Sequence, residues 1–113
     1  MGYQSRATLV QVQGIAGVRE ATGGWDFTVI FKEDGTVWSV GANNCGQLGD
    51  GTTTSRNSPV QVVASGVSHI AAGARHSLFL KTNGSLHTMG KNNSGQLGDG
   101  TTTNRNSPVQ VVA

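Results

Sequence analysis

Two stretches of this chain are apolar at nearly every position: "FTVIFK" (Phe27–Lys32) and "HSLFLK" (His76–Lys81). Runs this short and this continuous predict strands covered on both faces, because a strand with one wet face alternates. Each run is followed by a turn dipeptide, Asp34-Gly35 or Asn83-Gly84. Such a dipeptide between apolar segments is a strong hairpin signal, and the turn expected from it is type I′, with positive φ at both central residues. The chain returns through "TVWSVG" (Thr36–Gly41) and "SLHTMG" (Ser85–Gly90). Ahead of the second apolar run, "VSHIAAG" (Val67–Gly73) predicts a short strand of small residues. After each hairpin a polar loop of about sixteen residues leads into "PVQVV" (Pro59–Val63 and Pro108–Val112). Proline at the first residue of a strand suits an outer, edge position, where no ladder N–H is needed. No stretch holds a 3.6-residue apolar period, so almost no helix is expected.

The pattern is written twice. "GQLGDGTTT" begins at Gly46 and again at Gly95, 49 residues later. Residues 17–64 align without a gap on 66–113, with 26 of 48 positions identical. The identity is uneven: 20 of 22 positions match over 43–64, but only 4 of 24 over 19–42. A partial third copy opens the chain, where "SRATLVQV" (Ser5–Val12) answers "SRNSPVQV" (Ser55–Val62). The organisation predicted is the outer strand of a preceding repeat (1–16), a first four-stranded unit (17–65) and a second (66–113). A period near fifty residues points to solenoids or propellers.

From Gly73 to Val111 the chain reads G-x-x-H-S-L-x-L-K-x-N-G-x-L-x-x-x-G-x-N-x-x-G-Q-L-G-D-G-T-T-T-x-x-x-x-P-V-x-V. This resembles the RCC1-like (regulator of chromosome condensation) repeat, its bacterial versions most closely. The resemblance implies an all-β fold of β-propeller blades, each a four-stranded antiparallel sheet, in rings that typically hold seven blades. Two blades per chain would then be completed to a ring by oligomerisation. The first repeat departs from the pattern: Gly24, Trp25, Asp26, Phe27 and Thr28 stand where Gly-x-x-His-Ser stands in the second. In this frame the repeated phrase is a structural loop rather than a site. Leu48 and Leu97 are expected to plug blade–blade seams, while Gln47, Gln96, Asp50 and Asp99 bond loop amides that no strand satisfies.

Composition narrows the function. The 113 residues carry a net charge of +2, with 12% charged residues and 17 glycines. The eight Lys and Arg are scattered, and no basic stripe offers a path for phosphates, so no nucleic-acid partner is expected. No apolar run approaches the roughly 18 residues of a membrane span, and no membrane partner is expected. The start "MGYQSR" fails as a myristoylation site because Arg6 stands where Ser or Thr is required. The single cysteine, Cys45, allows no internal disulfide and indicates no cellular compartment.

The candidate chemistry is thin. The Gly46–Gly51 glycines lack dinucleotide-loop spacing and a following helix, so no cofactor is expected. Asp50 and Asp99 lack the companion acids of a calcium loop. His69, His76 and His87 fall on neighbouring strands, yet their counterparts Glu20, Phe27 and Trp38 share no ligand chemistry, so no metal site is assigned. His76 and Ser77 are adjacent on a strand and point to opposite faces, so they form no nucleophile–base pair. No catalytic residue is assigned, and the chain is read as no enzyme. Trp25 is different, because it sits in the link between two strands, at a propeller rim, where an exposed Trp is a typical interface anchor. Trp25, Asp26, Arg75 and His76 are therefore the candidate partner-binding residues.

The function expected is a non-enzymatic propeller module acting as a protein–protein interaction scaffold. The alternatives are a regulatory binder, of the enzyme-inhibiting or small-GTPase-exchange kind, and an excised or designed propeller fragment without its own function. The expected partners are an unidentified protein and the chain itself, as a homotrimer or homotetramer. The opening segment Thr8–Val12 is expected to clasp the junction between copies.

Overall fold

A computed structural model describes residues 17–112, and every regular element among them is a strand. The first sheet runs β1 (Val18–Gly23), β2 (Phe27–Lys32), β3 (Val37–Gly41), β4 (Arg56–Val63). The second runs β5 (Val67–Ala72), β6 (His76–Lys81), β7 (Leu86–Gly90), β8 (Arg105–Val112). Strands neighbour one another in chain order and pair antiparallel throughout. Ladder positions repeat at the offset of 49: Phe27 faces Gly41 as His76 faces Gly90. The segment 1–16, including the expected clasp Thr8–Val12, lies outside the described residues.

Both hairpins fall at the predicted dipeptides, but the turn is not type I′. Only glycines have positive φ, among them Gly35 (+86°) and Gly84 (+90°), so Asp34 and Asn83 do not take the left-handed shape that type I′ demands. The Gly35 N–H donates to the Lys32 carbonyl (3.0 Å) and the Lys32 N–H to the Thr36 carbonyl (3.0 Å). This is a three-residue loop with glycine as the bulge residue. Asp34 spends its carboxylate on the turn, accepting from the Thr36 N–H (3.0 Å) and hydroxyl (2.6 Å). Asn83 does the same for Ser85.

The outer strands also differ from expectation, because β4 and β8 begin at Arg56 and Arg105, ahead of the prolines. Ser39 pairs with Val60 and Gly41 with Arg56, so Asn57, Ser58 and Pro59 together stand against the single residue Val40. Pro59 therefore lies in a bulge, where its missing N–H breaks no ladder bond.

The two sheets pack face to face. Phe27, Val29, Phe31, Val37 and Leu48 of the first blade meet Val67, Ile70, Phe79 and Met89 of the second in one buried cluster. Strand β5 lies against β1 and β2, so the first strands of the two blades converge and β4 and β8 lie outermost. Full burial of a side chain of this size is worth roughly 1.5–3 kcal/mol, and this seam is the main apolar burial available.

Candidate functional site

The repeated loop is built around an asparagine. Asn43 is fully buried. Its Nδ2 donates to Asp50 Oδ1 (3.1 Å) and to the carbonyls of Thr52 (2.9 Å) and Thr54 (3.1 Å), while its Oδ1 accepts the Leu48 N–H (2.9 Å). Asp50 accepts from the Thr52 N–H and hydroxyl and from Arg56 Nε at 2.9 Å. Burial works against its ionised form, but the hydrogen bonds from Thr52, Arg56 and Asn43 outweigh it and hold its carboxyl below the ordinary range. Asn92, Asp99, Thr101 and Arg105 repeat the arrangement. The bonds from Thr101 and Arg105 hold Asp99 well below the ordinary range.

This network folds the loop back so that Leu48 and Leu97 point inward, at 0% and 2% exposure; Leu48 joins the cluster between the blades as expected of a seam plug, whereas Leu97 is buried outside that cluster. The Ser39 and Thr88 hydroxyls donate to the Leu48 and Leu97 carbonyls. Gln47 and Gln96 accept the N–H groups of Cys45 and Ser94, so their side chains serve the loop itself. All of this satisfies backbone groups that no strand could.

The two copies differ in what lies beyond them. The first loop seats on the second blade: the Ser77 hydroxyl donates to the Gln47 carbonyl (2.7 Å), and the Gly51 N–H to the Asn106 carbonyl (2.6 Å). Gly46, Gln47 and Gly49 are buried there, whereas Gly95, Gln96 and Gly98 are exposed.

At the rim, the link before β2 and the link before β6 lie side by side. The Trp25 N–H donates to the Ala74 carbonyl at 3.0 Å, tying one blade to the next. Trp25 is 75% exposed, with the Arg75 guanidinium 5.9 Å from its ring centre. Asp26 Oδ1 and Arg75 Nε are, among the described residues, the buried side-chain atoms without a hydrogen-bond partner. His76 belongs to the packing rather than the open rim: its ring lies directly over Gly73, as Phe27 lies over Gly24. Phe27 therefore does in the first blade what His76 does in the second. The structure brings Trp25 and Arg75 together and leaves His76 half-buried, its ring over Gly73.

The remaining candidates are structural. His87 stacks on Phe79 with ring centres 4.9 Å apart, and burial with the nearby Lys81 charge pushes its pKa down. His69 bonds only the adjacent Ser68. Among the described residues no group of three or more His, Cys, Asp or Glu is placed to hold a metal ion. Cys45 is a free, half-buried thiol.

Family comparison agrees with this geometry. The model of the "Regulator of chromosome condensation (RCC1) repeat" matches residues 34–80 and 83–113, and a second model of the same description matches 18–47 and 67–96. The chain belongs to the RCC1 repeat family. Among curated proteins it is similar to the secretion-regulating guanine nucleotide exchange factor of Bos taurus, 39% identical over 62 residues. That match takes in 52% of this chain and 13% of the relative. Among solved structures, human WBSCR16 superposes with a TM-score of 0.80 at 25% identity, over 92% of this chain and 28% of that one. Prp20p of Saccharomyces cerevisiae, described with its binding to Gsp1p and histones, superposes with a TM-score of 0.75 at 17% identity, over 93% and 27% of the two chains. The last of these speaks for the RCC1 blade fold alone. The chain spans about an eighth of the curated relative and about a quarter of the solved structures.

Sequence reasoning missed Asn43 and Asn92 as the centre of the loop. A signal existed, because both stand inside the nearly identical stretch, and a polar residue repeated beside an apolar plug is a candidate for satisfying a buried backbone.

Proposed function

We propose that this chain is a non-enzymatic interaction module whose protein partner docks on the rim at Trp25, Asp26 and Arg75, with the adjacent His76 packed over Gly73. The observation that carries the reading is Trp25, a large aromatic left 75% exposed on a backbone that is hydrogen-bonded to the neighbouring blade. A rigidly held aromatic loses little entropy on binding, and such residues with arginine dominate interface energies.

The test is affinity capture from the source organism with the natural chain and with Trp25→Ala, circular dichroism showing that both are folded. A partner held by the natural chain and by Gln61→Ala, which alters an exposed outer-strand residue, but lost by Trp25→Ala supports the rim. A partner held equally by all three refutes it.

A regulatory reading is favoured by the name of the curated relative, an exchange factor. It predicts faster nucleotide release from a small GTPase in the presence of this chain. The match of 62 residues takes in only 13% of that relative, so any such activity would require a face continued by further blades.

A further inference from the structure

We propose that the segment docking on the rim is an acidic peptide, which lays a carboxylate end-on across the two terminal nitrogens of Arg75 and an apolar side chain on the Trp25 ring. This rests on the rim reading above and adds the chemistry of the partner.

The two strand links at the rim are held alike and charged unlike. Each is pinned by its backbone: the Ala42 N–H donates to the Asp26 carbonyl and the Lys91 N–H to the Arg75 carbonyl, both at 2.9 Å. The Trp25 N–H bond to the Ala74 carbonyl joins one link to the other. At the offset of 49, Trp25 answers to Ala74, Asp26 to Arg75 and Ala42 to Lys91. One negative charge on the first link is thus replaced by two positive charges on the second.

Arg75 has no carboxylate of its own. The ion pairs among the described residues join Asp50 to Arg56 and Asp99 to Arg105. The Arg75 guanidinium instead lies 5.9 Å from the centre of the Trp25 ring, close enough for the ring face to attract it. Its Nε is buried without a partner. Its two terminal nitrogens bond nothing among the described residues and are not among the buried atoms. A carboxylate approaching side-on, across Nε and one terminal nitrogen, is therefore shut out. The end-on approach, across both terminal nitrogens, is open. A bidentate pair of this kind is charge-assisted and fixes the orientation of the acid. Trp25, 75% exposed beside it, supplies the apolar area.

The charges give the docked segment a direction. Asp26, next to Trp25 in the chain, repels a carboxylate on the first link, and Lys91, bonded to Arg75 through the backbone, attracts one on the second. The acid therefore lies toward the second blade. A nucleic acid fits less well, because its phosphates call for a row of cations and the two links offer Arg75 and Lys91 with Asp26 alongside.

The experiment is nuclear magnetic resonance of the full chain, following the Trp25 indole N–H, identified by its loss in Trp25→Phe, and the Arg75 Nε–H. Three probes are added in turn: the end-blocked peptide Leu-Glu-Glu-Leu, its amide counterpart Leu-Gln-Gln-Leu, and a single-stranded DNA tetranucleotide. The acidic peptide should shift both signals, and the amide peptide should bind about tenfold more weakly for want of the charge-assisted pair. Arg75→Gln, with the rest of the spectrum unchanged, should abolish that preference. Equal binding of the two peptides to the natural chain overturns the acidic partner, as does the absence of any shift with the acidic peptide. Tighter binding of the DNA overturns it in favour of phosphate. The rim itself fails only if Trp25→Ala keeps the captured partner, so the two failures are told apart. If Arg75→Gln does not fold, the two peptides on the natural chain decide.

Discussion

Two glycines that open the same nine-residue phrase, Gly46 and Gly95, provide a measurement of the seam. Gly46 and Gly95 have φ of +80° and +73°, so alanine at either place pays the same left-handed penalty, about 1–2 kcal/mol. Their surroundings differ. A Cβ on Gly46 would lie 2.6 Å from Asn106 Cα and 2.7 Å from the Arg105 carbonyl oxygen, whereas a Cβ on Gly95 meets nothing within 4 Å. The obstacle is the backbone of β8, which cannot rotate aside as a side chain would. Either the loop lifts from the second blade or the blades part. Overpacking of this kind costs about 1–3 kcal/mol beyond the conformational penalty. Gly95→Ala should therefore cost about 1–2 kcal/mol and Gly46→Ala about 2–5.

Urea titration followed by circular dichroism measures both, at a concentration where light scattering reports single chains. A difference of 2 kcal/mol corresponds to roughly 8–16 °C in melting temperature for a domain near this size. Equal losses for the two variants would refute the claim that only the first loop is seated. A larger loss for Gly95→Ala would reverse the assignment of the open face.

Three further outcomes follow from the loop. Asn92→Ala orphans the buried Leu97 N–H and the carbonyls of Thr101 and Thr103, and should cost about 2–4 kcal/mol by thermal melting, given 1–3 for each unsatisfied buried group and partial relaxation; a loss under about 0.5, the surface scale, would remove it from the centre of the loop. Leu97→Ala should cost about 2–5 kcal/mol, the range for a buried leucine, although every residue from Asn93 to Gln96 beside it is exposed. The carboxyls of Asp50 and Asp99 titrate below 3.8 when folded, so their stabilisation is complete above the unfolded value and is lost as pH falls below about 4 and the unfolded chain takes protons first; melting temperature should drop through that window, and Asp99→Asn should lower it at pH 7 while making the acid decline shallower, an unchanged slope counting against the network.

The strand pattern was readable because continuous apolar runs bracketed by turn dipeptides leave few alternatives. The buried leucines were readable too, as lone large apolar residues in polar loops. The turn type was not. Asp-Gly serves both a two-residue loop with two left-handed residues and a three-residue loop with one, and the choice depends on whether Glu33 belongs to the strand. The position of Pro59 within β4 was hidden for a similar reason, since a bulge is a property of the pairing and not of one strand. The different fates of the two GQLGDG copies could not be read at all, because their sequences are the same and only the neighbouring blade distinguishes them.

That contrast explains why 43–64 is repeated almost without change while 19–42 is not. The loop is a polar network in which the Asn92, Asp99, Thr101 and Arg105 side chains bond one another and the loop backbone, and lengthening one side chain unseats several bonds. The seam is an apolar contact, where shape and volume matter and identity is negotiable. The chain shows the tolerance directly: Phe27 over Gly24 and His76 over Gly73 solve the same packing with different rings. His76→Phe should therefore change stability by less than about 1.5 kcal/mol, the limit for volume-conserving exchange. Asp99→Glu adds one methylene to a carboxylate held by Asn92, the Thr101 N–H and hydroxyl, and Arg105, and should cost about 2 kcal/mol or more, the scale for one unsatisfied buried group. Thermal melts of the two variants side by side test the division. If the ring exchange at position 76 proves the more damaging, then the identity of the loops has some cause other than the demands of their hydrogen bonds.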